Sequence, residues 1–467
     1  MNRTHHTDHL DTRVRGTWLP LAAACLGTFL LLVHATIVTV ALPHMADDLD
    51  ADFGALQWIV DVYTLALAGL LLGMGSLGDT LGRKRLYVLG LAVFTLATLG
   101  CGMAGSVPLL IAARAVQGLA GAAMFATLLP LIGLTYSGRD KARAFAVWGA
   151  VAGAAAGVGN VAGGMLTELL SWQWIFYSSV PLCLVALLLS LKVPAGDAPT
   201  PTPVDWPGIV TFTLAASGVT FGFVRGGERG WDDAATLLGF AVGAAALTAF
   251  VLVERASAHP MIPLALFRNP AFDGLLVASG AYYLGAFGFL PVLSLRLQND
   301  AGLTSFATSL VISAQPLAFF VTSALAGSAL HRLPAHWAVG GGCVLVGIGD
   351  LTLLAAQSGA SWPALLPGLA LTGVGAGLVS PVLPATAMAA APPTHSGVAA
   401  AAANSARQLG LALGIALLGT ACRAYGLQAV FLLAGGCALA GGSAAVALGS
   451  RPRGRVPDPD AARGPAK

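Results

Sequence analysis

Four ionisable side chains stand inside long apolar runs of this sequence: His34, Asp61, Arg114 and Asp350. Burying such a group in hydrocarbon costs free energy, so its presence there marks a functional candidate. His34 lies nine residues before Pro43, roughly 14 Å below the helix end at about 1.5 Å per residue. With a reference pKa of about 6.5, histidine can exchange a proton near neutral pH. The plain alternative is a neutral histidine hydrogen-bonded to a neighbouring helix. Arg114, in LLIAARAVQGLAGAA, is too deep in its run for a loop and carries a charge that is not lost. A cation there could help expel a proton from His34 or lower the pKa of a nearby carboxyl group; alternatively, it braces the end of a helix bundle by snorkelling. Asp61, in WIVDVYTLALAGL, falls near the outer end of its run. It reads either as a hydrated helix-end carboxylate or as a group that attracts cations or protons.

The elements that must hold these residues follow from composition. Hydrophobic residues make up 56% of the 467 and charged residues 10%, with a mean hydropathy of +0.79. That is far too apolar for a soluble domain of this length. A formal net charge of +3 gives no reason to expect a nucleic-acid partner. Cys25, Cys101, Cys183, Cys343, Cys422 and Cys437 lie in or beside apolar runs without ligand spacing. They read as small packing residues rather than a disulfide framework or zinc site. His5, His6 and His9 belong to a basic leader expected to be a solvated tail, and the Pro/Gly/Arg-rich ending is expected to be disordered.

Hydropathy and turn signals give about fourteen spans. The first six are expected at 17–43, 55–77, 86–107, 109–133, 143–166 and 174–193. A Pro/Thr/Asp linker at 194–207 precedes two further spans within 208–254, at 208–224 and 234–254. After a polar linker at 255–273 come six more within 274–449, at 274–296, 304–330, 336–356, 364–388, 397–421 and 427–449. Short tails at 1–16 and 450–467 complete an all-α polytopic membrane protein arranged six, two, six. An even count puts both termini on one side. Eighteen Lys and Arg fall on that side against four opposite, Arg225, Arg229, Arg296 and Arg423. The termini are therefore expected to be cytoplasmic, in a plasma membrane crossed many times. Trp172 and Trp174, in SWQWIFYSSVP, fit an aromatic anchor at the outer interface.

The charged stretch GSLGDTLGRKR, Gly75 to Arg85, is wedged between two of these runs. It resembles the loop between helices 2 and 3 of the major facilitator superfamily, with Gly75, Gly78, Asp79, Gly82, Arg83 and Lys84 on the family pattern and Thr80 in place of a basic residue. Glycines there allow a tight turn and close helix approach, while Asp79 can pair with a base on a neighbouring helix end and let go as a transporter switches state. The surroundings of Arg114, Gln117 and Gly118 are similar to the family's fourth-helix motif, which implies proton coupling by the arginine. In HATIVTVALP, His34 stands where the fourteen-helix drug:proton antiporter branch usually has an acidic residue, and Thr39 where it has asparagine. The run WGAVAGAAAGVGNVAGGML repeats Gly149, Gly153 and Gly157 on one face, suited to close helix approach. It resembles the antiporter motif through Gly159, Gly163 and Gly164, with Asn160 replacing proline and able to hydrogen-bond across helices. NSARQLGLALG, with Asn404, Arg407 and Gln408, is similar to the motif opening the branch's penultimate helix. There Arg407 is expected to anchor the inner gate. Asp350 falls on a helix that is peripheral in this fold.

The resemblance implies two six-helix halves around a central cavity, with transport by rocking of the halves. Tyr63, Gln117, Trp148, Tyr282, Tyr283, Gln315 and Phe319 are the candidates to line the cavity, because aromatic faces hold flat or cationic molecules without strict geometry. No GxxxxGK[ST] loop, HExxH or GxSxG motif occurs. The energy source is expected to be a proton gradient rather than ATP or any cofactor, and no enzyme activity is expected. The function implied is proton-coupled efflux of amphipathic small molecules such as drugs, dyes or antibiotics, by a chain acting as a monomer. A dedicated metabolite exporter or a proton-coupled importer on the same fold remains open, because fold does not fix direction.

Overall fold

The computed structural model describes residues 18–136, 138–193, 203–330, 334–355, 362–392 and 395–450. The N-terminal tail, residues 194–202 of the first linker and residues 451–467 of the C-terminal tail lie outside the described residues. All regular structure among the described residues is helical, and fourteen of the helices are long and apolar enough to cross a membrane. They are apolar on most faces, as lipid-facing helices must be, because each helix satisfies its own backbone hydrogen bonds.

Local signals set the helix ends. Asp52 accepts a hydrogen bond from the Ala55 amide at 2.8 Å and starts the Phe53–Leu81 helix. Asp205, Asp233 and Asn269 cap the helices that begin at Trp206, Ala234 and Pro270. Each side chain satisfies an amide that has no partner within its own helix. Gly82, at φ +93°, makes the turn between Leu81 and Arg83, a conformation that a side chain would strain.

The chain forms two compact units, 1–204 with 302–310, and 205–301 with 311–467. In the first, the Val107–Thr135 helix packs against the Phe53–Leu81 and Arg83–Gly102 helices, while the Leu19–Thr36 helix lies against the Gly138–Leu169 and Ser179–Lys192 helices. In the second, the Trp206–Arg229 and Ala234–Ala256 hairpin rests on the Ser396–Tyr425 helix. There the Thr420 hydroxyl donates to the Phe223 carbonyl at 2.9 Å. A Cβ on Gly227 would stand 2.7 Å from the Thr420 hydroxyl oxygen, so the glycine permits this docking. Asp205 and Glu254 close the other end of the hairpin. Asp205 accepts from the Gly208 and Met261 amides, and Glu254 from the Ile262 amide.

Three local expectations are corrected. The expected helix at 17–43 is helical only over Leu19–Thr36, tightens to a 3-10 turn over Ile37–Val40, and restarts as Leu42–Leu49. The charged stretch from Gly75 is not a loop along its length, because the Phe53–Leu81 helix runs through it and only Gly82 turns. Trp172 is buried and donates to Asp48 at 2.8 Å, which leaves Trp174 as the exposed member of the pair.

Candidate functional site

His34, Arg114 and Gln117 meet inside the first unit, each completely buried. The glutamine is the hub. Its Oε1 accepts from Arg114 Nη1 at 2.7 Å, which leaves Nε2 to donate to Thr98 Oγ1 at 2.8 Å and to face His34 Nδ1 at 3.3 Å. The amide orientation is thus set by the guanidinium, and the imidazole presents its Nδ1 lone pair to a donor. The His34 proton then sits on Nε2, which has no hydrogen-bond partner. Phe176 stacks on the His34 ring at 5.9 Å and Phe94 meets it edge-on at 5.3 Å.

Arg114 ties three helices together. Its Nε donates to the Ile59 carbonyl at 3.1 Å, and Nη1 also reaches the His34 carbonyl at 3.2 Å. The guanidinium carbon lies 4.3 Å from the Tyr63 ring centroid, and the Tyr63 hydroxyl donates to the Leu31 carbonyl at 3.0 Å. Arg114 Nη2 has no partner, and among the described residues no carboxylate pairs with the arginine. Leaving a buried polar group unpaired costs about 1–3 kcal/mol and more when it is charged, so the cluster is poised rather than optimised for stability. Asp61 is also fully buried with both carboxyl oxygens unpartnered, but it does not join the cluster through a hydrogen bond. Trp148, half-buried, donates to Thr28 Oγ1 at 2.7 Å.

The glycine-rich Gly138–Leu169 helix presses on the segment that follows His34. A Cβ on Gly163 would lie 2.6 Å from the Ile37 carbonyl and 2.9 Å from Val40 Cγ2, and one on Gly159 would collide with Thr36 Oγ1. Gly164 fits against Ser305 and Ser309 in the same unit, with 2.6 Å to the Ser305 carbonyl. The 3-10 turn and the closest glycine contacts therefore coincide. The spacing of Gly149, Gly153 and Gly157 is less informative than it reads. Gly149 is exposed with nothing within 4 Å of its Cβ position, so it is not part of a close helix contact. Asn160 is buried, and among the described residues it makes no hydrogen bond to a neighbouring helix.

At the Gly82 turn, Asp79 Oδ1 pairs with Arg83, 2.9 Å from Nη2 and 3.0 Å from Nε. Lys84 donates to the Leu191 carbonyl at 3.2 Å. Gly78 lets Thr127 approach, with 3.1 Å from its Cβ position to Thr127 Cγ2, whereas Gly75 has open space around it.

The second unit holds a separate polar cluster. Gln315 donates to the Ala286 carbonyl and to Thr372 Oγ1. The Arg407 guanidinium carbon stands 4.9 Å from the Tyr283 ring centroid, and Tyr283 packs on Tyr282 and Phe287. Arg407 is eleven residues inside the Ser396–Tyr425 helix rather than at its start. Asp350 is buried without a partner for either oxygen. Tyr63, Gln117, Tyr282 and Gln315 are completely buried within their own units, while Trp148, Tyr283 and Phe319 retain exposed surface. Thr98, Phe94 and Phe176 complete the His34 site without any distinguishing pattern in the sequence.

This chain belongs to the major facilitator superfamily, whose sequence model matches residues 24–267 and 275–467. It is 31% identical over 409 residues to multidrug resistance protein Stp of Mycobacterium tuberculosis, covering 87% of this chain and 76% of that one. It is 36% identical over 411 residues to cephamycin export protein CmcT of Amycolatopsis lactamdurans, covering 85% and 83%. A crystal structure of a POT peptide transporter in complex with sulfate shares the fold, with a TM-score of 0.71, 14% identity, and coverage of 95% and 98%.

Proposed function

We propose that this chain is a proton-coupled exporter of amphipathic small molecules such as drugs, dyes or antibiotics. It works by alternating access across the bacterial plasma membrane, as a monomer with both termini cytoplasmic and its helices organised six, two, six. The relatives' names supply the direction and the broad substrate class. The observation that carries proton coupling is the buried relay from Arg114 through Gln117 to His34.

The chemistry runs through Gln117. With His34 neutral, Nδ1 accepts from the amide. A second proton turns Nδ1 into a donor aimed at another donor, so the bond is lost and one of the two side chains must turn. Gln117 turns only by withdrawing Oε1 from Arg114. Arg114 in turn holds the Ile59 and His34 carbonyls, one on each of two helices. Proton arrival at His34 is thereby linked to helix contacts, and the 3-10 turn at Ile37–Val40 is where the chain can yield. No covalent chemistry on the solute, cofactor or nucleotide enters this scheme.

Inside-out membrane vesicles with an imposed pH gradient test it. Collapse of the gradient on adding several unrelated amphipathic compounds, absent from empty-vector vesicles, is the expected result. Silence from a well-expressed preparation counts against polyspecific antiport and in favour of a dedicated exporter or an importer.

A further inference from the structure

The second unit carries a charged side chain that the relay does not use. Arg407 lies eleven residues into the Ser396–Tyr425 helix and Tyr283 thirteen residues into the Pro270–Phe287 helix. At about 1.5 Å per residue these are depths of roughly 16 and 20 Å, near the middle of a bilayer. Resting the guanidinium on the Tyr283 face leaves its edge free for hydrogen bonding. Among the described residues no carboxylate pairs with it, and its Nε is buried with no hydrogen bond. The fully buried Tyr282 hydroxyl lies beside Arg407 and Ser380 without closing a hydrogen bond of normal geometry. Two donors of one neighbourhood thus lack an acceptor.

Accessibility separates Arg407 from the other ionisable groups well inside the spans. His34, Asp61, Arg114 and Asp350 have no exposed surface, whereas Arg407, though mostly covered, keeps some. Tyr283, Phe287, Phe319 and Ser380, from three helices of the same unit, are likewise partly exposed. Among the described residues, a solute reaching this depth finds a cation beside aromatic faces, while the carboxylates well inside the spans, Asp61 and Asp350, have no exposed surface.

We propose that Arg407, with Tyr282 and Tyr283, forms an anion-recognising subsite, and that the transported molecules are acidic amphiphiles: a carboxylate or similar anionic group on a flat apolar body. This names the substrate class of the export reading and rests on it. The anion takes charge-assisted hydrogen bonds from the guanidinium edge and one from the Tyr282 hydroxyl, while the apolar body lies against Tyr283, Phe287 and Phe319.

The test uses two probes of one shape and opposite charge, 2-naphthoate and 2-naphthyltrimethylammonium. Each is equilibrated by dialysis with the purified full chain in a neutral detergent, with empty micelles subtracted. The wild-type chain is expected to bind naphthoate at least about tenfold more tightly than the ammonium compound. Arg407→Gln abolishes that preference without weakening the cation. Arg407→Lys keeps part of it, since a point charge replaces the fork. A wild-type preference for the cation overturns the proposal whatever the variants do, and so does naphthoate binding that survives Arg407→Gln unchanged. If Arg407→Gln fails to fold, the wild-type preference and Arg407→Lys decide. Vesicles separate the two ideas. Naphthoate that binds with the Arg407-dependent preference but is never moved sinks the export reading and leaves the subsite standing.

Discussion

The side-chain amide nitrogen of Gln117 faces Nδ1 of His34 across 3.3 Å, while its oxygen is held by Arg114 at 2.7 Å. A guanidinium and an imidazole are therefore joined by one amide that cannot serve both in a different orientation.

Gln117→Leu takes the donor from His34 Nδ1 and one of two acceptors from Arg114 Nη1 in a fully buried site, while Arg114 Nη1 keeps the His34 carbonyl and Thr98 Oγ1 the Phe94 carbonyl. At about 1–3 kcal/mol for each buried group left unpaired, a clear drop in melting temperature in detergent is expected together with loss of pH-driven transport. Gln117→Glu still offers Arg114 an acceptor and should melt closer to wild type. Equal melting temperatures for Gln117→Leu and wild type contradict the hub role.

Gly163→Ala forces a methyl group to within 2.6 Å of the Ile37 carbonyl. Overpacking of this kind costs about 1–3 kcal/mol, and here it bears on the 3-10 turn beside His34. Transport should fall while Gly149→Ala, which meets nothing within 4 Å, stays at the wild-type rate. Vesicle assays on the pair, normalised to expression, read the difference. Two variants that behave alike contradict the account.

Asp79→Asn removes the pair with Arg83, whose side chains are 41% and 29% exposed. Such a pair contributes at most about 1 kcal/mol, so the melting temperature should barely move. A reduced rate of transport with unchanged stability marks a contact that matters when the protein switches state. An unchanged rate assigns the pair to the turn alone.

Legibility varied with the kind of signal. Long apolar runs are a local signal, and they made the helices readable; the caps Asp52 and Asp205 came only with the structure. His34 and Arg114 were conspicuous because charge or titratability in an apolar run is rare. Their meeting through Gln117 and Thr98 was not readable, since it depends on three helices and a threonine that looks like any other. Gly159 and Gly163 stood out through their resemblance to the antiporter motif, but the backbone they press on, Thr36 and Ile37, did not. The break of the first helix after Thr36 was masked by the apolarity of the segment, although its run of four β-branched residues, Ile37–Val40, followed by Pro43 favours a helix less than the run before it. Gly149 misled for the converse reason: the four-residue spacing was real, but no neighbour lies against it.

The central claim is that His34 is the group that exchanges the proton. The most direct measurement is proton release from purified protein in weakly buffered solution, on adding a compound that collapses the vesicle gradient, with wild type compared to His34→Ala. Wild type should release protons, and His34→Ala should bind the compound and release none. Undiminished release by a folded His34→Ala protein contradicts the account and moves the proton elsewhere, with Asp61 the first place to look.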